Sequence, residues 1–125
     1  MSPHRRIVLF ACVGATAAAV HWAVAVALVQ GVGLAPLNAN AGGWGVAFFV
    51  SFAGQFGLTF RDHGARLVPA ALRFLAVSAM GFAINEAAYA LLLRVTAARF
   101  DLLLALVLVG VAALTYLLSR RWAFR

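Results

Sequence analysis

The chain has no lysine and only three acids, Asp62, Glu86 and Asp101, against ten arginines. Charged residues are 10% of its 125 positions and hydrophobic ones 66%. A soluble domain holds about 45–50% apolar and about 25% charged residues, so a water-soluble globular fold is excluded. The acids are too few for chemistry: no hydrolase triad, Walker loop, metal-ligand set or glycosyltransferase carboxylate pair can be assembled from this sequence. We therefore expect no enzyme, no catalytic residue, no cofactor and no metal. The single cysteine, Cys12, excludes a disulfide within the chain. A net charge of +7 would suit nucleic acid in a soluble protein. Here the arginines stand between long apolar runs, the pattern of a membrane protein, and no nucleic-acid partner is expected.

What the chain does have is four apolar runs, 7–29, 41–60, 74–93 and 102–119. Each is near the ~20 residues that cross the hydrocarbon layer. Between them, 30–40 carries Gly31, Gly33, Pro36 and two asparagines and reads as an uncharged turn. Residues 61–72 form a basic loop with Gly64 and Pro69, and 94–101 a short polar connection. Trp44, near the start of the second run, reads as an interfacial anchor. Eight arginines lie in the head (Arg5, Arg6), the middle loop and its edge (Arg61, Arg66, Arg73) and the tail (Arg120, Arg121, Arg125). The other two connections hold none and two (Arg94, Arg99). Four spans put both termini on one side, and the positive-inside rule makes that side the cytoplasm. The expected fold is all-α, a single four-helix transmembrane domain over 1–125 with N- and C-termini cytoplasmic. The head and first run would also fit a cleaved signal peptide, with Ala23, Val24 and Ala25 as the small-residue site.

An internal repeat argues against cleavage. Shifting the chain by 64 positions sets Phe10 on Phe74, Val13 on Val77, Ala15 on Ala79, Ala19 on Ala83 and Ala23 on Ala87. The pair Phe60, Arg61 falls on Phe124, Arg125, while His21 meets Asn85 and Trp22 meets Glu86. The repeat halves, about 6–61 and 73–125, are two helical hairpins that begin and end on the same side. Such repeats are parallel, with a pseudo-symmetry axis along the membrane normal. The first run carries alanine at 11, 15, 19, 23 and 27, and the third at 79, 83 and 87. Small side chains at a spacing of four let helices approach, so these stripes are expected to pack against other helices, as are Gly43, Ala47 and Ser51.

Glu86 stands deep in the third run, beside Asn85. An aspartate at a helix centre costs at least ~2.5–3.5 kcal/mol to insert. Such an acid faces a cavity or a polar partner, or is protonated. It can line a polar groove, bind a sugar hydroxyl or exchange a proton, or it can be a buried acid satisfied by His21 or Asn85. His21 lies about 22 Å along its helix from Arg6 and Glu86 about 20 Å from Arg73, so a contact between them is feasible. For His21 and Asn85 a hydrogen-bonding strut and a ligand-binding role stand level. Ser51, Gln55 and Thr115 are expected to be structural, since such side chains commonly bond to the backbone. The cluster Arg120, Arg121, Trp122 fits topology, anchoring and a helix C-terminus. With Arg6, Arg61 and Arg73 it also makes a ring suited to an anionic lipid headgroup.

The chain resembles the GtrA-like family of small four-span membrane proteins over nearly its whole length. Arg6 through Phe10 to Val13 and Gly14 open the first run, and Arg73 and Phe74 the third. The ending Thr115-Tyr116-Leu117-Leu118-Ser119-Arg120-Arg121-Trp122-Ala123-Phe124 is similar to the family's Asn-Phe-x-x-Asn-Arg-x-Trp-x-Phe. The first-half counterpart is degenerate, with Gln55-Phe56-Gly57-Leu58 where relatives often keep a basic residue and tryptophan. The resemblance implies a bacterial cytoplasmic-membrane protein of cell-surface polysaccharide synthesis. It would flip polyprenyl-phosphate-linked sugars, or assist the glycosyltransferase that uses them. On that implication Arg73, Arg120 and Arg121 recruit the headgroup, and His21, Asn85 and Glu86 receive the sugar. The expected partners are the lipid-linked sugar, membrane lipid, a membrane glycosyltransferase and a second copy of the chain. The alternatives are a small multidrug-type proton-coupled exporter, whose family carries its glutamate in the first span, and a non-transporting scaffold for a glycosyltransferase.

Overall fold

A computed structural model describes residues 2–59 and 66–123, with side chains described as far as residue 113, Ala70 excepted. Among the described residues every regular element is helical. The helices are α1 (Pro3–Ala27), α2 (Pro36–Gly54), α3 (Leu67–Val95) and α4 (Phe100–Ala123), and π-helical turns Leu28–Val32 and Gln55–Thr59 continue α1 and α2. Pro3–Val32, Pro36–Thr59 and Leu67–Val95 are long and apolar enough to cross a membrane, with mean hydropathy of 2.0, 1.2 and 1.9. The described apolar stretch of α4, Phe100–Ala113, is shorter.

The helix ends follow local chemistry. Ser2 accepts a bond from the Arg5 N–H at 3.3 Å while Pro3 fills the first helical position. At the far end Gly33, at φ 81°, takes the left-handed conformation that closes the π-turn, and Leu34 N donates to Leu28 O at 3.1 Å. Helix α2 then starts at once on Pro36, so only residues 33–35 lie outside helix. This corrects the expected turn over 30–40. Proline and asparagine were read as breakers, but proline in the first turn starts a helix, and both asparagines lie inside α2. Pro69 is likewise in the first turn of α3 rather than in a loop. At α4 the first-turn acid Asp101 accepts from Leu102 N at 3.0 Å and from Arg99 at 2.8 Å.

Helices α1 and α2 pack most extensively. Their seam is Val13, Ala17, His21 and Ala25 against Ala39, Asn40, Gly43 and Ala47, all buried. A Cβ on Gly43 would stand 2.5 Å from the His21 carbonyl oxygen, so only glycine permits this approach. The alanine stripes do not form seams: Ala11, Ala15, Ala19, Ala23 and Ala27 are exposed, and so are Ala79, Ala83 and Ala87. Spacing of four fixes a face but not which face turns inward. On α1 the face two positions along carries Val13 and His21, and it is the one that meets α2.

Between α2 and α3 the filling is aromatic. Trp44 stacks on Phe82 at 4.9 Å and donates from Nε1 to Ser78 Oγ at 2.9 Å. Phe48 and Phe52 close on Phe74 at 5.7 and 5.8 Å. Trp44 thus wedges between α2 and α3. An apolar core lies toward the α3–α4 connection, where Ala25, Tyr89, Leu103, Leu104 and Val107 meet. Two bonds hold the start of α4 there, Trp22 Nε1 to Asp101 O at 2.9 Å and Tyr89 Oη to Phe100 O at 3.1 Å.

Candidate functional site

Three helices each send a polar side chain into the interior at one level, and Asn40 joins them. It lies four residues into α2, about 6 Å from the helix start, and is fully buried. Its Oδ1 is 2.6 Å from His21 Nε2 on α1. Its Nδ2 donates to Asn85 Oδ1 at 2.7 Å and to Glu86 Oε1 at 3.3 Å, both on α3. His21 and Asn85 are buried as well, at 6% and 4% exposure, while Glu86 is partly open.

The donor and acceptor roles follow from Glu86. With Glu86 ionised its carboxylate accepts only, so the amide nitrogen of Asn40 faces it and the amide oxygen faces His21. Asn40 Oδ1 cannot donate, and the proton in that contact therefore sits on His21 Nε2. These bonds leave Glu86 one carboxylate oxygen, and Asn85 its amide NH2, without a hydrogen bond among the described residues. An acceptor oxygen and an amide donor on adjacent residues match a hydroxyl group, which gives a proton to one and takes a bond from the other.

The structure brings His21, Asn85 and Glu86 together through Asn40, which stands between His21 and Glu86. Arg73 is exposed and lies about 20 Å from Glu86 along α3, at the opposite end of that helix. Arg120 and Arg121 lie outside the residues whose side chains are described. The residue missed in the sequence is Asn40, and a signal for it existed. If Pro36 starts the helix, positions 40, 43 and 47 share one face, and that face carries the Gly43 and Ala47 already expected to pack.

A second polar feature sits at the other end of α2. Gln55 donates from Nε2 to Phe10 O at 3.3 Å, across to α1 rather than to its own backbone. Its Oε1 and the Thr59 hydroxyl are buried without any hydrogen bond. Each unmet group costs about 1–3 kcal/mol. Among the described residues no three His, Cys, Asp or Glu side chains group as a metal site would require.

Apolar helices long enough to cross a bilayer, tied internally by an amide, an imidazole and a carboxyl group, define a helical membrane domain. The chain belongs to the GtrA/DPMS transmembrane domain family, whose model matches residues 9–124. No curated protein and no solved structure matches it.

Proposed function

We propose that this protein translocates a polyprenyl-phosphate-linked sugar across the bacterial cytoplasmic membrane during cell-surface polysaccharide assembly. All four helices cross the bilayer, with both termini cytoplasmic. No catalytic residue, cofactor or metal takes part. The observation that carries the proposal is the Asn40-centred network, which holds a partly open carboxyl group and a free amide NH2 inside the helical bundle. Membership of the family supports handling of such a lipid. The sugar hydroxyls bond to Glu86 and Asn85, held in place by Asn40 and His21, while the prenyl chain stays in lipid. Arg73, Arg120 and Arg121, at the opposite end, collect the phosphate first, before the head moves along the bundle to the cluster.

The test is a flipping assay in proteoliposomes with a polyprenyl-phosphate hexose. Glu86→Gln keeps the bond from Asn40 but loses the carboxylate, and translocation falls about ten-fold or more, the loss of one charge-assisted hydrogen bond. Full activity in both Glu86→Ala and Asn85→Ala would remove the sugar site.

One observation favours a second reading, assistance to a membrane glycosyltransferase. The alanine faces of α1 and α3 are exposed, and small residues at this spacing are what a partner helix packs against. Stable co-purification with such an enzyme, and no flipping by the isolated protein, would select it. Nothing comparable supports a multidrug-type exporter.

A further inference from the structure

Gln55 and Thr59 are the least expected polar groups in the chain. They are 5% and 0% exposed, and Gln55 Oε1 and Thr59 Oγ1 have no partner. A helical threonine ordinarily returns its proton to the carbonyl four residues back. Thr16 does so to Cys12 at 2.8 Å, and Thr96, capping the end of α3, bonds back to Leu92 at 2.9 Å. Thr59 does not. It ends the π-helical turn Gln55–Thr59, which packs against α1, and single π-turns inside helices are frequent at functional positions.

The surroundings of the pair are lopsided. Gly54 and Leu58, beside them in sequence, line an apolar groove of about 300 Å³ together with Leu9, Val13 and Thr16. Arg6 lies one turn before Phe10, whose carbonyl binds Gln55. Along α2, Thr59 is about 28 Å from Asn40, close to the ~30 Å of a hydrocarbon core. Between these ends Trp44, Phe48, Phe52 and Phe56 follow one another at four-residue spacing, with neighbouring rings 5.5 to 6.3 Å apart. Helix α2 thus carries a polar group near each end and rings between.

We propose that Gln55 and Thr59 form a second binding station for the hydroxyl-bearing head of the same lipid-linked sugar, at the end of the bundle opposite Asn40. The inference rests on the proposed function and deepens it. The ligand class follows from the free atoms. Gln55 Oε1 only accepts, so its partner must donate; Thr59 Oγ1 does both. A sugar hydroxyl satisfies the two at once. An ionised phosphate has no proton for Oε1 and is left to the arginines. The groove beside the turn gives the prenyl chain a place on the lipid side. In this structure the pair is closed, and the head enters when the π-turn parts from α1.

The test measures binding to the full chain in lipid nanodiscs, with polyprenyl-phosphate glucose and sugar-free polyprenyl phosphate as the two probes. In a Glu86→Gln, Asn85→Ala background the first cluster loses both groups that face the sugar, and a residual preference for the glycosylated lipid is expected. Adding Thr59→Val, which keeps the shape and removes the hydroxyl, lowers affinity for the glycosylated probe about ten-fold and leaves the sugar-free probe unchanged. Adding Thr59→Ser instead keeps the preference. Thr59→Val melts no lower than its parent, because it removes an unbonded hydroxyl.

Four results overturn the inference. Loss of all preference in the Glu86→Gln, Asn85→Ala background would leave only the first cluster. A triple variant with Thr59→Val that binds like that background would mean the pair holds a trapped water and nothing more. Equal loss of both probes together with a lower melting temperature would make Thr59 structural. If the unsubstituted protein shows no preference for the glycosylated lipid, the proposed function falls too, whereas in the other three cases it stands.

Discussion

At the residue scale, Asn40 is the group on which the interior turns, because one amide satisfies partners on two other helices. Apolar burial contributes little between helices in lipid, where the tails are as apolar as leucine, so association rests on packing and on bonds of this kind. Asn40→Leu, which keeps the branching at Cγ but is larger, strands His21 Nε2, Asn85 Oδ1 and Glu86 Oε1 together. Each stranded group costs about 1–3 kcal/mol in a buried site, but hydrogen bonds in a membrane average nearer ~0.6 kcal/mol. A loss of about 1–3 kcal/mol overall is the expected outcome, read as a lower midpoint in detergent unfolding. Asn40→Asp should be worse than Asn40→Leu, since it sets a second carboxyl group against Glu86 and offers no N–H. Glu86→Gln, by contrast, keeps an acceptor toward Asn40 and should stay within about 0.5 kcal/mol of the parent. A fall in stability as large as that of Asn40→Leu would make Glu86 a strut and remove the ground for giving it a ligand.

At the element scale, the α1–α2 hairpin is closed by glycine and the α2–α3 seam by rings. Gly43 has the His21 carbonyl oxygen where its Cβ would be, whereas Gly45 has nothing within 4 Å. Gly43→Ala therefore forces the hairpin apart and costs about 1–3 kcal/mol by overpacking, taking His21 away from Asn40. Gly45→Ala costs nothing and gains up to about 1 kcal/mol of helix propensity. The pair shares a helix and a substitution, so a melting experiment reads the seam alone. On α1 the exposed Ala19 should accept leucine with a change within about 0.5 kcal/mol, unless a partner helix covers it. The helices were legible in the sequence because an apolar run of this length has few other uses. Which face of α1 turned inward was not, since a periodicity of four marks the alanine face and the Val13–His21 face equally. The site was half legible. His21, Asn85 and Glu86 stand out against apolar neighbours, whereas Asn40 sits among glycine and proline and looked like part of a turn. Thr59 was missed because its missing partner is a property of three-dimensional packing.

At the scale of the whole molecule, the two hairpins keep one register. Helices α1 and α3 begin at residues 3 and 67, and α2 and α4 at 36 and 100, each 64 apart. Five pairs of buried positions follow the same shift, His21 and Asn85, Ala25 and Tyr89, Ala39 and Leu103, Asn40 and Leu104, Gly43 and Val107, whereas Val13 is buried and Val77 exposed. That is what a duplicated hairpin entails, and it shows where the halves diverge. Three of the four corners at the level of the cluster are polar, and the fourth is Leu104, 1% exposed in the apolar core. Parallel repeats require both hairpins to start on the same face of the membrane, so the orientation of one fixes the other. The arginines supply the direction. Arg5, Arg6, Arg66 and Arg73 lie at the end where α1 and α3 begin and, among the described residues, Arg94 and Arg99 lie at the other, a bias that supports the proposed cytoplasmic side for the first end. On the proposed orientation the Asn40 cluster lies toward the outer leaflet and the Gln55–Thr59 turn toward the inner one. Cysteine labelling in cells reads this directly once Cys12 is replaced by serine. Ala97→Cys, between α3 and α4, should react with a membrane-impermeant maleimide added outside, and Ser2→Cys only after the membrane is opened. The opposite pattern would turn the protein over, and the arginines could not then meet a phosphate arriving from the cytoplasm.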